Sequence, residues 1–218
     1  MTTPVPQSPP VAKRPLDWQA SRNPFATRFV RPGAMPFLFQ PSIDVERLLA
    51  KLVEYQWRGA IIGPHGSGKS TLLAELRPAL IRGGRRIVQF SLHDGERRLP
   101  ATAANWEPWD SATIVIVDGY EQLSEFSRRA VGRQCRRAGS GLLVTSHGPT
   151  HFPELYRTDI DPELLQRIVD RLIGDNRRFI SVMDIQQAFC LHGQNAREAL
   201  FLLYDLHERR WREAVEQV

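Results

Sequence analysis

Gly59-Ala60-Ile61-Ile62-Gly63-Pro64-His65-Gly66-Ser67-Gly68-Lys69-Ser70-Thr71 is the stretch on which the reading of this chain turns. A short apolar strand runs into residues 63–70, which fit the spacing G-x-x-x-x-G-K-[ST], and an amphipathic helix opens at Lys69. The residue types follow from what such a turn can hold. Glycines let backbone N–H groups curl around phosphate oxygens, and a helix N-terminus adds positive field. Lys69 is placed to reach β- and γ-phosphate oxygens, and the Ser70 hydroxyl to ligate magnesium. Gly63, Pro64, His65, Gly66, Ser67, Gly68, Lys69, Ser70 and Thr71 are therefore read as a loop that cradles a nucleoside triphosphate. The competing reading is a chance glycine turn.

About 50 residues downstream stands Thr113-Ile114-Val115-Ile116-Val117-Asp118. A β-branched run of this kind suits a strand buried on both faces. An aspartate at its end suits a magnesium ligand acting through water, against the plainer reading of a strand-ending turn. Three residues on, Glu121 is a candidate base that would polarise an attacking water; the alternative is a helix-start acid favoured by the dipole.

Working outward, the chain alternates strands and helices, which predicts a parallel α/β sheet. Ser42 is expected to cap a helix carrying Val45, Leu48, Leu49, Leu52 and Val53. The helix from Lys69 is expected to close near Pro78. Residues 86–92 and 141–146 read as strands, 93–110 as loop and 121–137 as helix, and the stretch around His147 to Asp161, with Gly148, Pro149 and Pro153, as a bending loop without regular structure. No strand pattern follows residue 158. Instead Asp161-Pro162 starts a helix ended by Gly174, Ser181 to Asp184 starts a second ended by Gly193, and Asn195 caps a third. The expected organisation is a Pro-rich basic arm over 1–40, an α/β core over 41–158 and a small all-helical lid over 159–218. Residues 1 to about 20 read as disordered, and 23–41 as an extended, non-helical arm lying on the core.

Composition sets bounds on function. The 218 residues are 42% hydrophobic, enough for a buried core, and the longest apolar run, 199–204, is too short to span a bilayer. The net charge of +5 falls mostly on the first 40 residues, which carry about +4, so a nucleic-acid partner is only weakly supported. The N-terminus carries no apolar signal segment, and Cys135 and Cys190 lack metal-ligand spacing. Reduced thiols in the cytoplasm are the expectation.

With its phosphate loop, its Asp118 strand and the polar-ended Leu142-Leu143-Val144-Thr145-Ser146-His147, the chain resembles the additional-strand P-loop ATPases. The helical tail narrows the resemblance to the AAA+ group and its signal-transducing (STAND) relatives, whose lids carry a motif similar to Gly193-Gln194-Asn195-Ala196-Arg197-Glu198-Ala199-Leu200. The resemblance implies ATP and magnesium as ligands, Arg197 as a sensor-2 arginine reaching the γ-phosphate, and a sensor-1 group among Thr145, Ser146 and His147. It also implies a protein partner or a homo-oligomer. Gly119 stands where AAA+ proteins have their catalytic acid. Neither Arg157 nor Arg167 is fixed as an arginine acting in trans, and Arg129, Arg133, Arg136 and Arg137 read as a basic helix face. Three functions compete: an ATPase coupled to lid movement, a nucleotide-gated binding module with little hydrolysis, and a small-molecule kinase. No Leu-Ser-Gly-Gly-Gln signature marks a transporter subunit, and no Asn-Lys-x-Asp marks a GTPase.

Overall fold

The strands are β1 (Arg58–Ile62), β2 (Arg86–Ser91), β3 (Thr113–Asp118), β4 (Gly141–Ser146) and β5 (Glu154–Arg157). They form one parallel sheet in the order β2-β3-β4-β1-β5. These come from a computed structural model that describes residues 23–100, 108–174 and 177–217. The proline-rich stretch before residue 23, read as disordered, lies outside the described residues, as does part of the 93–110 loop.

Period-two alternation explains how helices cover both sheet faces. Ile61, Ile114, Ile116 and Leu143 face α2 (Val45–Glu54) and α3 (Lys69–Arg82), packing with Leu48, Leu52, Leu72 and Leu76. Their strand neighbours Ala60, Val115, Val117, Leu142 and Val144 face the other way, toward Val131 and Cys135 of α4 (Glu125–Ala138). Because β4 lies between β1 and β3, a polar residue at the end of β4 sits between the strand that leads into residues 63–70 and the strand that ends at Asp118. The C-terminal helices are α5 (Pro162–Ile173), α6 (Val182–His192) and α7 (Ala196–Glu216). Their caps fall where the sequence places them: Asp161 on Leu164 N, Ser181 with Asp184 in a capping box, and Asn195 on Glu198 N.

Five expectations are corrected. Ser42 does not cap α2. Asp44 does, its Oδ1 accepting from Arg47 N at 2.8 Å, while Ser42 sits in a left-handed turn with φ of 70°. The helix from Lys69 does not close at Pro78 but runs on to Arg82 and ends at Gly83. Proline there removes one helical hydrogen bond, and burial of Ala79 and Leu80 in the next turn outweighs it. The helix predicted from Glu121 begins only at Glu125, capped by Ser124, because residues 120–122 form a separate 3₁₀ turn. The segment between His147 and Asp161 is not all loop: its Leu155 and Tyr156 are buried as β5, an edge strand pairing with β1. Four residues are too few to display a period. Last, the arm contains one helical turn, α1 (Thr27–Val30). Arm residue Phe25 is fully buried among the C-terminal helices, and the Asn23 side chain donates to Tyr204 O at 2.9 Å.

Candidate nucleotide site

After β1 ends at Ile62, Gly63 N donates to Ser146 O and the chain turns back on itself before α3. Gly66 has φ of +69°, and a Cβ there would fall 1.8 Å from Asn195 Oδ1 and 3.2 Å from the Arg197 Cβ. The glycine is thus needed twice, for its left-handed backbone and for the close approach of the α7 N-terminus to the loop. Ser67 Oγ lies 2.6 Å from Thr158 Oγ1, and Thr158 N donates to Ile62 O at 2.8 Å. Thr158 therefore pins the loop from the end of β5. No motif marks it, and it becomes visible only once β5 is placed.

Lys69 is 8% exposed and donates through Nζ to Gly63 O and Pro64 O, each at 2.7 Å. Burial lowers its pKa; the nearby charges of Glu121 and then Asp118 oppose that, while Arg197 adds to it. Ser70 Oγ donates to Asp118 Oδ2 at 2.7 Å. The other carboxylate oxygen accepts from Thr145 Oγ1 at 2.6 Å, and that hydroxyl accepts from Gly119 N at 2.8 Å. Of the three residues left open at the end of β4, Thr145 alone bonds to Asp118. Ser146 Oγ instead accepts from Gly148 N, and His147 Nε2 stands 3.3 Å from Glu121 Oε1. Burial also holds the His147 imidazole below its ordinary pKa, with Glu121 opposing and Lys69 and His65 reinforcing the shift.

Gly119 explains why no acid follows Asp118 directly. Its φ is +86°, and a Cβ there would meet the Leu92 carbonyl oxygen at 2.8 Å. The chain then winds through the 3₁₀ turn of residues 120–122 and delivers Glu121 to the site instead. Glu121 Oε2 is buried and unpaired among the described residues.

These groups share a cavity of about 880 Å³. Residues 65–71 line it together with Asp118, Glu121, Thr145, His147 and Arg197. Gly63, Pro64 and Ser146 do not line it. Its lining also includes the apolar side chains of Val30, Met35, Phe37, Ile160, Ile168 and Leu200. Of the arm rings expected either to cover a base or to pack in the core, Phe37 lines this cavity, Phe25 is core, and Phe29 lies under the Arg28 guanidinium. Arg157 pairs with Glu154, Arg167 is exposed on α5, and neither lines the cavity. Arg129, Arg133, Arg136 and Arg137 lie exposed along α4. The oxygen donors of Ser70 and Asp118, 2.7 Å apart at the foot of the loop, fit a hard cation such as magnesium. Among the described residues no group of three or more His, Cys, Asp or Glu could hold a metal ion, and no helix is long and apolar enough to cross a membrane.

No protein-family model and no curated protein sequence matches the chain. Among solved structures, a Walker-type ATPase of Pyrococcus abyssi superposes with a TM-score of 0.50 at 12% identity, over 84% of this chain and 75% of its own. PCH-2 of C. elegans gives a TM-score of 0.38 at 12% identity, over 77% of this chain and 65% of its own. At such identity the likeness to the Pyrococcus protein speaks for fold alone: the chain has a P-loop NTPase-like parallel α/β sheet followed by C-terminal helices.

Proposed function

We propose that the chain binds ATP with magnesium and hydrolyses it, using nucleotide state to move its C-terminal helices and engage a protein partner or a second copy of itself. The observation that carries this reading is a convergence. Lys69, the Ser70–Asp118 pair, Glu121 and Arg197 come from four separate segments and line one cavity. In this reading residues 41–158 form the core, 159–218 the lid and 1–40 the arm. Lys69 would exchange its bonds to Gly63 and Pro64 carbonyls for phosphate oxygens. Magnesium bound by Ser70 and, through water, by Asp118 would supply charge neutralisation at the phosphates. Water oxygen would attack the γ-phosphorus as the bond to the β-γ bridging oxygen breaks, and Glu121 would take the water proton. Thr145 orients Asp118 for its part. Arg197, held against the loop by the first turn of α7, would reach the γ-phosphate. The apolar part of the cavity lining suits a base. ATP rather than GTP is the expected nucleotide, since no guanine-recognition motif occurs. The free thiols Cys135 and Cys190 support a cytoplasmic, reducing setting.

One observation favours the nucleotide-gated module with slow turnover: His147 stands against the candidate base. Two variants separate the readings. Asp118→Asn is expected to lose magnesium-dependent binding and turnover together. Glu121→Gln is expected to keep ATP affinity and lose turnover by roughly 10²–10⁴-fold, the usual contribution of a general base. Phosphate release without added acceptor is the readout. Wild-type release by Glu121→Gln would remove Glu121 from the base role.

A further inference from the structure

We propose that a second cleft, between α4 and the connection from β4 to β5, binds a carboxylate and that its occupancy acts on Glu121. The cleft holds about 660 Å³. Among the described residues Glu121 alone lines both this cleft and the nucleotide cavity.

Besides Glu121 Oε2, two buried polar groups among the described residues that line the cleft lack partners. Tyr120 is 2% exposed, and its hydroxyl is buried with no hydrogen-bond partner among the described residues. Arg128 Nε is buried and unpartnered in the same way. Buried polar groups are nearly always satisfied, so two orphans on one cleft wall point to a ligand. Burial raises the Tyr120 pKa, outweighing the nearby Arg128 charge, which keeps the phenol a donor. Gly132 lines the cleft from inside α4, where glycine weakens a helix. The Arg136 guanidinium lies back over this turn, with Nη1 3.4 Å from where a Gly132 Cβ would stand, an ordinary contact.

Charge selects the ligand. Arg129 is paired with Glu125 at 2.7 Å. Arg136 has no carboxylate partner among the described residues. Arg128 and Arg136 then face Glu121, a balance of one positive charge. A single carboxylate matches that balance and the flat fork of a guanidinium. A dianionic phosphoryl group would lie against Glu121 in excess of the available cations. The link to the nucleotide cavity is one bond: Arg128 Nη2 donates to Glu121 O at 2.6 Å. A ligand that reorients Arg128 therefore moves the main chain that carries Glu121. This coupling rests on the role of Glu121 proposed above, whereas the binding itself does not.

The carboxylate can come from an acidic polypeptide or from a free carboxylic acid. The test uses the full chain with a fluorescein-labelled hexaglutamate peptide followed by anisotropy, and glutarate as competitor. Saturable binding is expected, weakened at least tenfold by Tyr120→Phe, which removes only a hydroxyl, by Arg136→Gln, and by Gly132→Leu, which fills the cleft. Lys69→Ala is expected to leave it unchanged, which separates this site from the nucleotide site. Displacement by glutarate at equal carboxylate concentration assigns a free acid, and persistence assigns a peptide; either supports the site. Absence of saturable binding, or wild-type affinity in the Tyr120→Phe and Arg136→Gln chains, overturns it. Saturating peptide is further expected to change ATP turnover at least twofold in the wild type but not in Gly132→Leu, and unchanged wild-type turnover overturns the coupling.

Discussion

Gly119 shows how much one residue decides. Its left-handed backbone, with the Leu92 carbonyl where a Cβ would go, keeps an acid out of the position after Asp118. The consequence is that the candidate base sits two residues later, on a 3₁₀ turn between Thr145 and His147. Gly119→Ala is expected to destabilise the fold by roughly 1–2 kcal/mol from the left-handed backbone alone, and more from the contact. It should also displace Glu121 and lower turnover more than nucleotide affinity. Chemical denaturation and phosphate release measure the two effects. At this scale the sequence was legible where local spacing fixes the backbone: the glycine turn that opens α3 at Lys69, and Asp118 at the end of its strand. It was illegible where partners meet across the sheet. Nothing in Leu142-Leu143-Val144-Thr145-Ser146-His147 says which side chain faces Asp118, because that follows from β4 lying between β1 and β3. Thr158 was hidden for the same reason.

Elements were legible when they carried several turns or a full buried run, and their ends were not. Asp44 took the cap position from Ser42 through a two-residue shift that both side chains could have supported. Pro78 was overridden by burial, a term that a local reading of proline omits. β5 had no pattern of its own and exists because β1 has a free edge to pair with. The helices of the C-terminal part were clearer because their capping residues mark them. Asp184 does two tasks there. It completes the α6 capping box and forks onto Arg210 of α7, through Oδ2 to Nη1 at 2.6 Å and Oδ1 to Nη2 at 3.0 Å. The hydrogen-bonded Arg210 guanidinium lowers its pKa from the ordinary carboxylate value to about 2. A carboxylate with a depressed folded pKa stabilises fully above its unfolded value, near 3.8, and loses that contribution as pH falls toward about 2. Asp184→Ala is therefore expected to cost roughly 1–2 kcal/mol at neutral pH, after screening of the half-exposed arginine, and little near pH 2. Unfolding free energies measured at neutral pH and between pH 4 and 2 check this.

On the scale of the whole molecule, the arm and the C-terminal helices are stapled together through Asn23 and Phe25, and both reach the glycine turn, Phe37 at Gly68 and Asn195 at Gly66. The sequence suggests an arm by its prolines and charge and a lid by its helix-only pattern, but neither signal could show that Phe25 belongs to the helical core while Phe37 packs against the sheet side with Tyr156. If the helices respond to nucleotide, Arg197 is the proposed link, since it stands in the first turn of α7 against Gly66. Fluorophores on α4 and near Glu208 should read different distances with an ATP analogue and with ADP. Arg197→Ala should erase the difference, a coupling of about 1–3 kcal/mol, with ADP affinity nearly unchanged. All of this depends on the site binding a nucleotide. The most direct measurement is titration calorimetry of ATP with magnesium into the wild-type and Lys69→Ala chains, with circular dichroism to show that both are folded. The expected result is saturable binding by the wild type, weakened by about 2–5 kcal/mol or lost in Lys69→Ala, because a buried ammonium would no longer meet the phosphates. Wild-type affinity in a folded Lys69→Ala chain would contradict the account.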